Sequence, residues 1–297
     1  MHNEALSISG GYRGRFAPSP SGSLHFGSLV AALASYLDAK KHQGSWLVRI
    51  EDIDTPRVVK GADSAILTAL EKFGLHWDEQ VEYQSQRHAL YQDTLTQLQP
   101  DLYACNCTRK MIKQAGGLYQ GHCKSLALDY DNHAIRLTQT HPIYQFTDLL
   151  QGQIYVPHAL ANEDYIVKRR DGLFAYQLVV VVDDIEQKIS RVVRGADLLE
   201  PTARQISLFK QLNHSVPEYA HVPLAVTEPG FKLSKQNHAP EININDPIPE
   251  LLRALSFLGL DVTDDMKLCN VDEVLTWAST QFSLGAIPNV LEKSIIV

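Results

Sequence analysis

The sequence predicts an α/β protein built on a parallel β-sheet, with an insertion in its middle and a short helical region at its end. Three observations lead to this prediction. Short apolar strands alternate with amphipathic helices in the first third of the chain. The middle third is irregular and holds three of the four cysteines. The apolar strands then resume, and helical spacing dominates the last 50 or so residues.

The chain begins with a predicted strand and helix. Arg13–Ala17 is predicted as a short strand, which "PSPSGS" ends because proline and glycine interrupt regular structure. Apolar residues recur at helical spacing from Leu29 onwards. Lys40 and Lys41, with a glycine shortly after them, are typical of a helix end.

A second strand and helix follow directly. "WLVRIEDID", Trp46 to Asp54, is predicted as an apolar strand that ends in acidic residues, and "GADSAILTALEKFGL" carries apolar residues on one helical face. A βαβα succession predicts parallel strands, and such sheets bind ligands beyond the carboxyl ends of their strands. We therefore expect His25 and Glu51, which both follow strands, on the same side of the sheet.

The second half of the chain resumes the parallel pattern. Leu178 to Val182 is predicted as a strand buried on both faces, because its apolar residues are nearly continuous. "DLLEPTARQISLFKQLN" is predicted as a helix with Pro201 near its start, and "YAHVPLAV" as one further strand. "KLSKQ" is placed in a loop, and the tail from Pro247 is predicted to carry helices such as "PELLRALSFLGL".

Composition limits the possible partners. The formal net charge of −7 does not predict bulk attraction to nucleic acid or to an anionic membrane. A nucleic-acid partner would need a local basic patch such as Lys168, Arg169 and Arg170, although a solvated surface turn explains this triplet equally well. No apolar run predicts a transmembrane helix, and the start of the chain does not resemble a signal peptide. We therefore expect a cytoplasmic protein.

The cysteines predict a metal site. Cys105, Cys107 and Cys123 form a cluster, and cytoplasmic chains rarely keep disulfides. Zinc takes four ligands, commonly thiolate or imidazole, so His122 is the natural fourth ligand by chemistry. The alternative is a C-x-C pair whose third cysteine is merely a core residue. Cys269 lies apart and is expected in the core.

Two segments offer groups that suit phosphate. A glycine- and serine-rich loop that opens a helix exposes backbone N–H groups, and His25 stands where the loop meets the helix. The plainer interpretation is a helix start capped by Ser23. Lys232 and Lys235 of "KLSKQ" can hold phosphates as point charges, although most such pairs are solvated surface.

Together these blocks carry a specific resemblance. "RFAPSPSGSLHFGS", "RIEDID", "VVVVDDIEQKISRVVRGADLLEPTARQ" and "KLSKQ" occur in the order found in class I aminoacyl-tRNA synthetases of the glutamyl branch. "HFGS" stands where that class has its HIGH signature, with Ser28 in place of the second histidine. "KLSKQ" stands where the class has KMSKS, with Gln236 in place of the last serine. Only about 60 residues follow, and in this the chain resembles the truncated glutamyl-queuosine tRNA(Asp) synthetases.

The resemblance implies a division of the chain. It predicts a leader over residues 1–12 and a Rossmann-like catalytic domain in two halves, residues 13–100 and 166–240. A zinc-binding subdomain is expected as an insertion over residues 101–165. A short helical region over residues 241–297 is expected instead of an anticodon-binding domain.

It also implies an activity. Members of this family activate L-glutamate with ATP in the absence of tRNA, and transfer it to the queuosine base at the wobble position of tRNA(Asp). Mg-ATP is then a substrate, structural zinc a cofactor, and the protein is expected to be a monomer. Two alternatives stay open: a short glutamyl-tRNA synthetase that charges the 3′ end of tRNA(Glu), and a non-catalytic relic that binds tRNA or an amino acid.

Residue roles follow from the same resemblance. Catalysis is expected of His25 and Lys235, and zinc binding of Cys105, Cys107, Tyr119 and Cys123. The expected glutamate-binding residues are Arg15, Phe16, Ala17, Pro18, Ser19, Glu51, Tyr176 and Arg194. The expected ATP-binding residues are His25, Ser28, Lys232, Ser234 and Lys235. Arginines suit the carboxylates of glutamate and Glu51 suits its ammonium group, but ion pairing among these residues themselves is the alternative explanation.

Overall fold

The structure is a computed structural model that describes residues 11–228, 231–232 and 240–295. The strands are β1 Arg13–Phe16, β2 Ser45–Ile50, β3 Glu82–Tyr83, β4 Leu102–Cys105, β5 Ala134–Leu137, β6 Gln145–Asp148, β7 Gly152–Tyr155, β8 Tyr165–Lys168, β9 Arg191–Gly195, β10 Glu218–Val222, β11 Leu224–Glu228, β12 Phe231–Lys232 and β13 Glu292–Ser294. The helices are α1 Phe26–Lys41, α2 Ala62–Lys72, α3 His88–Gln97, α4 Arg109–Gln114, α5 His158–Ala161, α6 Tyr176–Glu186, α7 Thr202–Gln211, α8 Pro247–Phe257 and α9 Val271–Gln281.

The predicted parallel pairing is confirmed. β1 pairs with β2 and β2 pairs with β3, in both cases in parallel. β9 and β10 form a second parallel pair in which Arg194 stands opposite His221. The backbone N–H of Ser190 donates to the carbonyl oxygen of Arg13 at 2.9 Å, which places the start of β9 beside the start of β1. The fold is therefore of the α/β class, and its parallel strands end on one common edge.

The helix α1 fills the space over the parallel strands. Its predicted apolar residues Leu29, Val30, Leu33 and Leu37 are all buried, and Lys40 and Lys41 lie in its last turn. The aligned carbonyl groups at a helix end favour cations in this position. The helix was predicted because apolar residues recur at helical spacing from Leu29, although in the structure α1 is buried on most of its surface.

The prediction of a strand over Leu178 to Val182 is wrong. These residues belong to α6, and every residue from Leu178 to Asp184 in it is buried. The helix packs against α3 and α7, so it has no solvent face and shows no polar stripe. A short continuous apolar run cannot be distinguished from a buried strand by its periodicity, and the four valines favoured the strand.

The middle of the chain contains more regular structure than expected. β4, β5 and β8 form an antiparallel sheet, and β6 and β7 form a hairpin. The hairpin lies against β10, because the N–H of Leu149 donates to the carbonyl oxygen of Tyr219 at 2.8 Å. The expected single strand "YAHVPLAV" is two strands, β10 and β11, because Pro223 between them has no N–H to donate.

The helical tail is confirmed. Leu251 and Leu255 of α8 and Val274 and Leu275 of α9 join the same core as α1. Among the described residues, none of the helices combines the length and the apolar composition that crossing a bilayer requires.

The loop after α8 should depend on its glycine. Gly259 has φ +90°, and a Cβ there would lie 2.4 Å from the carbonyl oxygen of Ala286. Gly172 has a similar φ of +86°, but a Cβ there would meet nothing within 4 Å. Both alanine variants lose about 1–2 kcal/mol from the left-handed backbone, and Gly259→Ala should lose about 1–3 kcal/mol more from the clash.

Urea unfolding of the two variants measures this difference. Equal losses for Gly259→Ala and Gly172→Ala would contradict the tight contact between α8 and the segment around Ala286.

Candidate active site

A cavity of about 630 Å³ opens at the carboxyl ends of β1, β2, β9 and β10. His25 and Glu51 both line it, as expected from their positions after strands. The cavity brings together every predicted glutamate- and ATP-binding residue within the fully described ranges: Arg15, Phe16, Ala17, Pro18, Ser19, His25, Ser28, Glu51, Tyr176 and Arg194. Ser234 and Lys235 lie outside the described residues, and Lys232 is described only by its backbone, at the end of β12.

The imidazole of His25 caps α1. Its Nδ1 accepts from the backbone N–H of Ser28 at 3.3 Å, and its Nε2 lies 3.1 Å from the Ser28 hydroxyl. The plainer interpretation, a cap by Ser23, is therefore wrong. The serine that replaces the second signature histidine touches the first one directly. The arrangement places an imidazole at a helix N-terminus, where partial positive charge favours anions.

Arg15 forms a buried ion pair with Asp184 of α6. Its Nε and Nη2 donate to the two oxygens of Asp184 at 3.1 and 3.2 Å, and both side chains are buried. The bidentate fork expected for a substrate carboxylate thus points at the protein itself, and Nη1 is the remaining donor. Glu51 is the acid among the expected substrate residues with which Arg15 could have paired, but Arg15 pairs with Asp184 instead.

Glu51 is a buried carboxylate with unused hydrogen-bonding capacity. Its Oε1 lies 3.6 Å from Nη2 of the fully buried Arg49, and it accepts no hydrogen bond from the described residues. Arg49 instead donates to Asp184 at 2.8 Å. Burial raises the pKa of Glu51 to about 7, against the opposing charges of Arg49 and Arg15. A cation at this point of the cavity would find an acceptor that the protein does not use.

Arg194 offers the complementary donor. Its Nε and Nη2 are bound by His221, Thr202 and Gln205 at 2.7 to 3.1 Å. Its Nη1 is buried and has no partner among the described residues. An arginine N–H left without an acceptor is costly in a buried place, so this atom marks where an anion fits.

Three sulfur atoms form the predicted cluster. The Sγ atoms of Cys105, Cys107 and Cys123 lie within 4.8 Å of one another, and no histidine of the described residues joins them at that distance. The Tyr119 hydroxyl accepts from the backbone N–H of Cys123 at 2.8 Å. Among the described residues, His122 therefore stands farther out than the chemistry alone suggested, and Tyr119 lies at the cluster.

A cation supports the same cluster. Arg136 Nε lies 3.2 Å from Sγ of Cys105, and its guanidinium stacks over the Tyr119 ring at 3.7 Å. A cation in this position suits a site in which three thiolates would hold one metal ion, because it offsets part of their negative charge. The donor set of three clustered sulfurs with a phenol oxygen nearby fits a tetrahedral zinc ion. Cys269 is half-buried and packs against the main core.

Part of the basic triplet at residues 168–170 is occupied by contacts within the protein, which limits it as a contact for nucleic acid. Arg169 pairs with Asp54 and Asp171, whereas Arg170 is exposed and donates to the carbonyl oxygen of Asn106 at 3.0 Å. Arg170 thus contacts the segment between β4 and α4, and the helix that follows begins with the exposed Arg109 and Lys110.

Sequence reasoning missed two residues that support the site from behind. Arg49 and His221 are buried, and they contact the predicted substrate residues Glu51 and Arg194. A signal existed for Arg49, since a charged residue inside an apolar strand needs a partner once it is buried. No signal pointed to His221, because its partners Asp148 and Arg194 are distant in sequence.

Comparison with known proteins places the chain in a family. The model of the class I tRNA synthetase (E and Q) catalytic domain matches residues 12–295. A glutamyl-Q tRNA(Asp) synthetase of Colwellia psychrerythraea is 54% identical over 96% of this chain and 94% of its own length. One of Serratia proteamaculans is 56% identical over 93% of this chain and 92% of its own length. The chain belongs to the glutamyl-Q tRNA(Asp) synthetase family.

Solved structures agree with this fold. A glutamate-tRNA synthetase from Elizabethkingia anophelis superposes with a TM-score of 0.79 and 24% identity, over 96% of this chain and 68% of that one. A glutamate tRNA ligase from Elizabethkingia meningosepticum, in complex with its amino acid, gives a TM-score of 0.77 at 24% identity, over 94% and 66%. The α/β fold with its parallel strands is therefore that of the class I synthetase catalytic domain.

The raised pKa of Glu51 predicts a pH dependence of stability. In the unfolded chain this carboxyl ionises near pH 4.5, whereas in the folded protein it ionises near pH 7. Folding therefore takes up a proton between these values, and its contribution to stability falls as pH rises through this window. Glu51→Gln does not titrate, so wild type should lose up to about 3 kcal/mol relative to this variant between pH 4.5 and 7.

Denaturant unfolding of both proteins at several pH values checks this difference. A constant difference across the window would show that the buried carboxylate is already ionised at low pH.

Proposed function

We propose that this chain activates L-glutamate with ATP, without tRNA, and transfers the glutamyl group to the queuosine base of tRNA(Asp). The observation that carries this proposal is a pair of buried atoms that have no hydrogen-bond partner among the described residues, Glu51 Oε1 and Arg194 Nη1, on two residues that line one cavity. An amino acid offers an ammonium group to the first and a carboxylate to the second. The choice of tRNA(Asp) as the acceptor is supported by membership of the family, because the relatives are named for this tRNA.

The first step needs positioning more than proton transfer. The α-carboxylate of glutamate attacks the α-phosphate of Mg-ATP, and pyrophosphate leaves. The nucleophile is already ionised, so no general base is required. The site must hold two anions together and offset the charge that develops on the phosphate. His25, the α1 N-terminus and Lys235 are assigned this role, with Ser28, Lys232 and Ser234 as further ATP contacts.

The glutamate-binding residues divide the remaining work. Glu51 receives the ammonium group, and Arg194 and Tyr176 bind a carboxylate. Arg15 contributes Nη1, the end of its guanidinium that does not bind Asp184, and organises the pocket through that acid. The backbone from Phe16 to Ser19 forms the wall of the cavity. In the second step an acceptor hydroxyl of the base attacks the acyl carbon, and AMP leaves.

The RNA is proposed to contact the insertion. Arg109, Lys110 and Lys113 of α4 are exposed, and the exposed Arg170 donates to the carbonyl oxygen of Asn106, three residues before that helix. Such a local basic surface can bind an RNA backbone although the whole chain is acidic. A monomer in the cytoplasm, with the two catalytic halves divided by an insertion over residues 101–165, completes the proposal.

Labelled glutamate tests the activity. We expect glutamate-dependent exchange of pyrophosphate into ATP without RNA, and transfer of label to tRNA(Asp) that carries queuosine but not to tRNA(Asp) without it. Nuclease digestion should locate the label in the anticodon fragment. Lys235→Ala should lose about 100-fold or more in exchange rate, as for removal of one donor to a developing anion, with unchanged thermal unfolding.

Two results would overturn the assignment. Label at the 3′ end of tRNA(Glu) would identify a short glutamyl-tRNA synthetase. No exchange and no transfer with any of these RNAs would identify a non-catalytic relic.

Zinc is proposed at Cys105, Cys107, Tyr119 and Cys123, where it would crosslink the insertion. The expected stoichiometry is one zinc per chain by elemental analysis. Cys123→Ser should abolish zinc binding, and Tyr119→Phe should weaken it in competition with a chelator. His122→Ala is the matched control and should leave the affinity unchanged. If His122→Ala weakens zinc binding and Tyr119→Phe leaves it unchanged, His122 is the fourth ligand.

A further inference from the structure

A chain of hydrogen bonds that starts on the inserted hairpin holds the guanidinium of Arg194. The parallel register of β9 and β10 places Arg194 directly beside His221. Arg194 Nε donates to His221 Nε2 at 3.1 Å, and His221 Nδ1 lies 2.6 Å from Oδ2 of Asp148, the last residue of β6. All three side chains are buried.

These contacts fix the tautomer of His221. A guanidinium N–H can only donate, so Nε2 must carry the lone pair. The proton of the neutral ring then sits on Nδ1 and is donated to Asp148. Burial, together with the charge of Arg194, lowers the pKa of His221 against the opposing hydrogen bond to Asp148. The ring is thus held neutral in the one form that can accept from Arg194.

The Nη2 end of the guanidinium is also bound. Nη2 donates to the Thr202 hydroxyl at 2.8 Å and to the Gln205 side-chain oxygen at 2.7 Å, both on α7. A planar group fixed through Nε and Nη2 cannot rotate. Nη1, which is buried and has no partner among the described residues, is therefore held in one place on a residue that lines the cavity.

Asp148 is itself fixed in orientation. Its Oδ1 accepts from the backbone N–H groups of Leu150, Gln151 and His221 at 3.0, 2.8 and 3.2 Å. Only Oδ2 therefore faces the imidazole. The carboxylate is anchored by the turn of its own hairpin and by β10, so the hairpin carries a rigid acceptor into the core.

We propose that Asp148 and His221 are positioning residues that hold Arg194 Nη1 in place for a carboxylate of glutamate. The inference rests on the proposed function and adds that the inserted hairpin sets the affinity for the amino acid. With Nε2 protonated, His221 would present an N–H to the Nε–H of Arg194, and the guanidinium would have to move.

The substitution Asp148→Asn tests the tautomer. The amide oxygen should stay with the three backbone N–H groups, so the amide NH₂ faces His221 Nδ1 and the ring proton moves to Nε2. We expect the KM for glutamate in pyrophosphate exchange to rise about 10- to 100-fold, as for loss of a hydrogen bond to a charged group. The kcat and the KM for ATP should change little, because binding rather than the chemical step is affected.

A second substitution should rescue the first. In His221→Glu both carboxylate oxygens are acceptors, so one can accept from Arg194 Nε while the other accepts from the new amide NH₂ at position 148. The double variant Asp148→Asn/His221→Glu also keeps the net charge, and it should therefore recover most of the glutamate affinity that Asp148→Asn loses. A merely structural role of Asp148 gives no reason for such a recovery.

Asp38→Asn is the matched control. Asp38 is an equally buried aspartate that accepts from the Tyr12 hydroxyl at 2.5 Å and pairs with Arg191 on β9, away from the cavity. Its isosteric change should leave the KM for glutamate unchanged. An unchanged KM in Asp148→Asn, an equal rise in Asp38→Asn, or no rescue by His221→Glu would each overturn the proposal.

The outcomes separate this inference from the proposed function. Absence of glutamate-dependent exchange in the wild type refutes the function itself. Should Asp148→Asn fail to fold, His221→Leu, which removes the acceptor, is compared with His221→Gln, which keeps it. The proposal then requires a raised KM for glutamate in the leucine variant alone, and equal values would overturn it.

Discussion

The site depends on the ion pairs between α6 and the first two strands. Asp184 accepts from both Arg15 on β1 and Arg49 on β2, and Asp183 lies 3.6 Å from Arg49 Nε. Burying such charges is expensive unless each is paired, and removing one partner leaves another uncompensated. The network therefore fixes a helix from the second half of the chain onto strands from the first, and the cavity lies between them.

This constraint explains why α6 has no polar face. A helix that brings two carboxylates to two buried arginines must itself be buried. The apolar residues Leu178 to Val182 of this helix accordingly pack into the surrounding core. Gln84 and Tyr91 also donate to Asp183, so both oxygens of this buried carboxylate accept hydrogen bonds. The apolar run and the acids that end it thus serve one purpose. Their sequence pattern indicates burial correctly and secondary structure wrongly.

The sequence predicted local structure better than it predicted partnerships. The β1–α1–β2–α2 order, the tail helices and the position of His25 follow from periodicity and from loop composition. The partner of Arg15 could not be predicted, because Asp184 lies 169 positions away and Glu51 was an equally reasonable choice. The hydrogen bonds of His221 are of the same kind. Residues that bind a substrate can be recognised from a motif, but those that hold them are selected by the packing of the whole fold.

The charges of the ion-pair network behind the cavity are unequal when every acid in it is ionised. Arg15, Arg49 and Arg87 face Asp183, Asp184, Glu51 and Glu82 among the described residues, so an ionised Glu51 leaves one excess negative charge. Glu51 also keeps an oxygen that accepts no hydrogen bond from the described residues, and burial raises its pKa to about 7. A cation that binds beside this oxygen favours the ionised form and lowers that pKa. Binding of an ammonium group near neutral pH is therefore coupled to release of a proton from Glu51, and the protein need not hold a bare buried carboxylate while the cavity is empty.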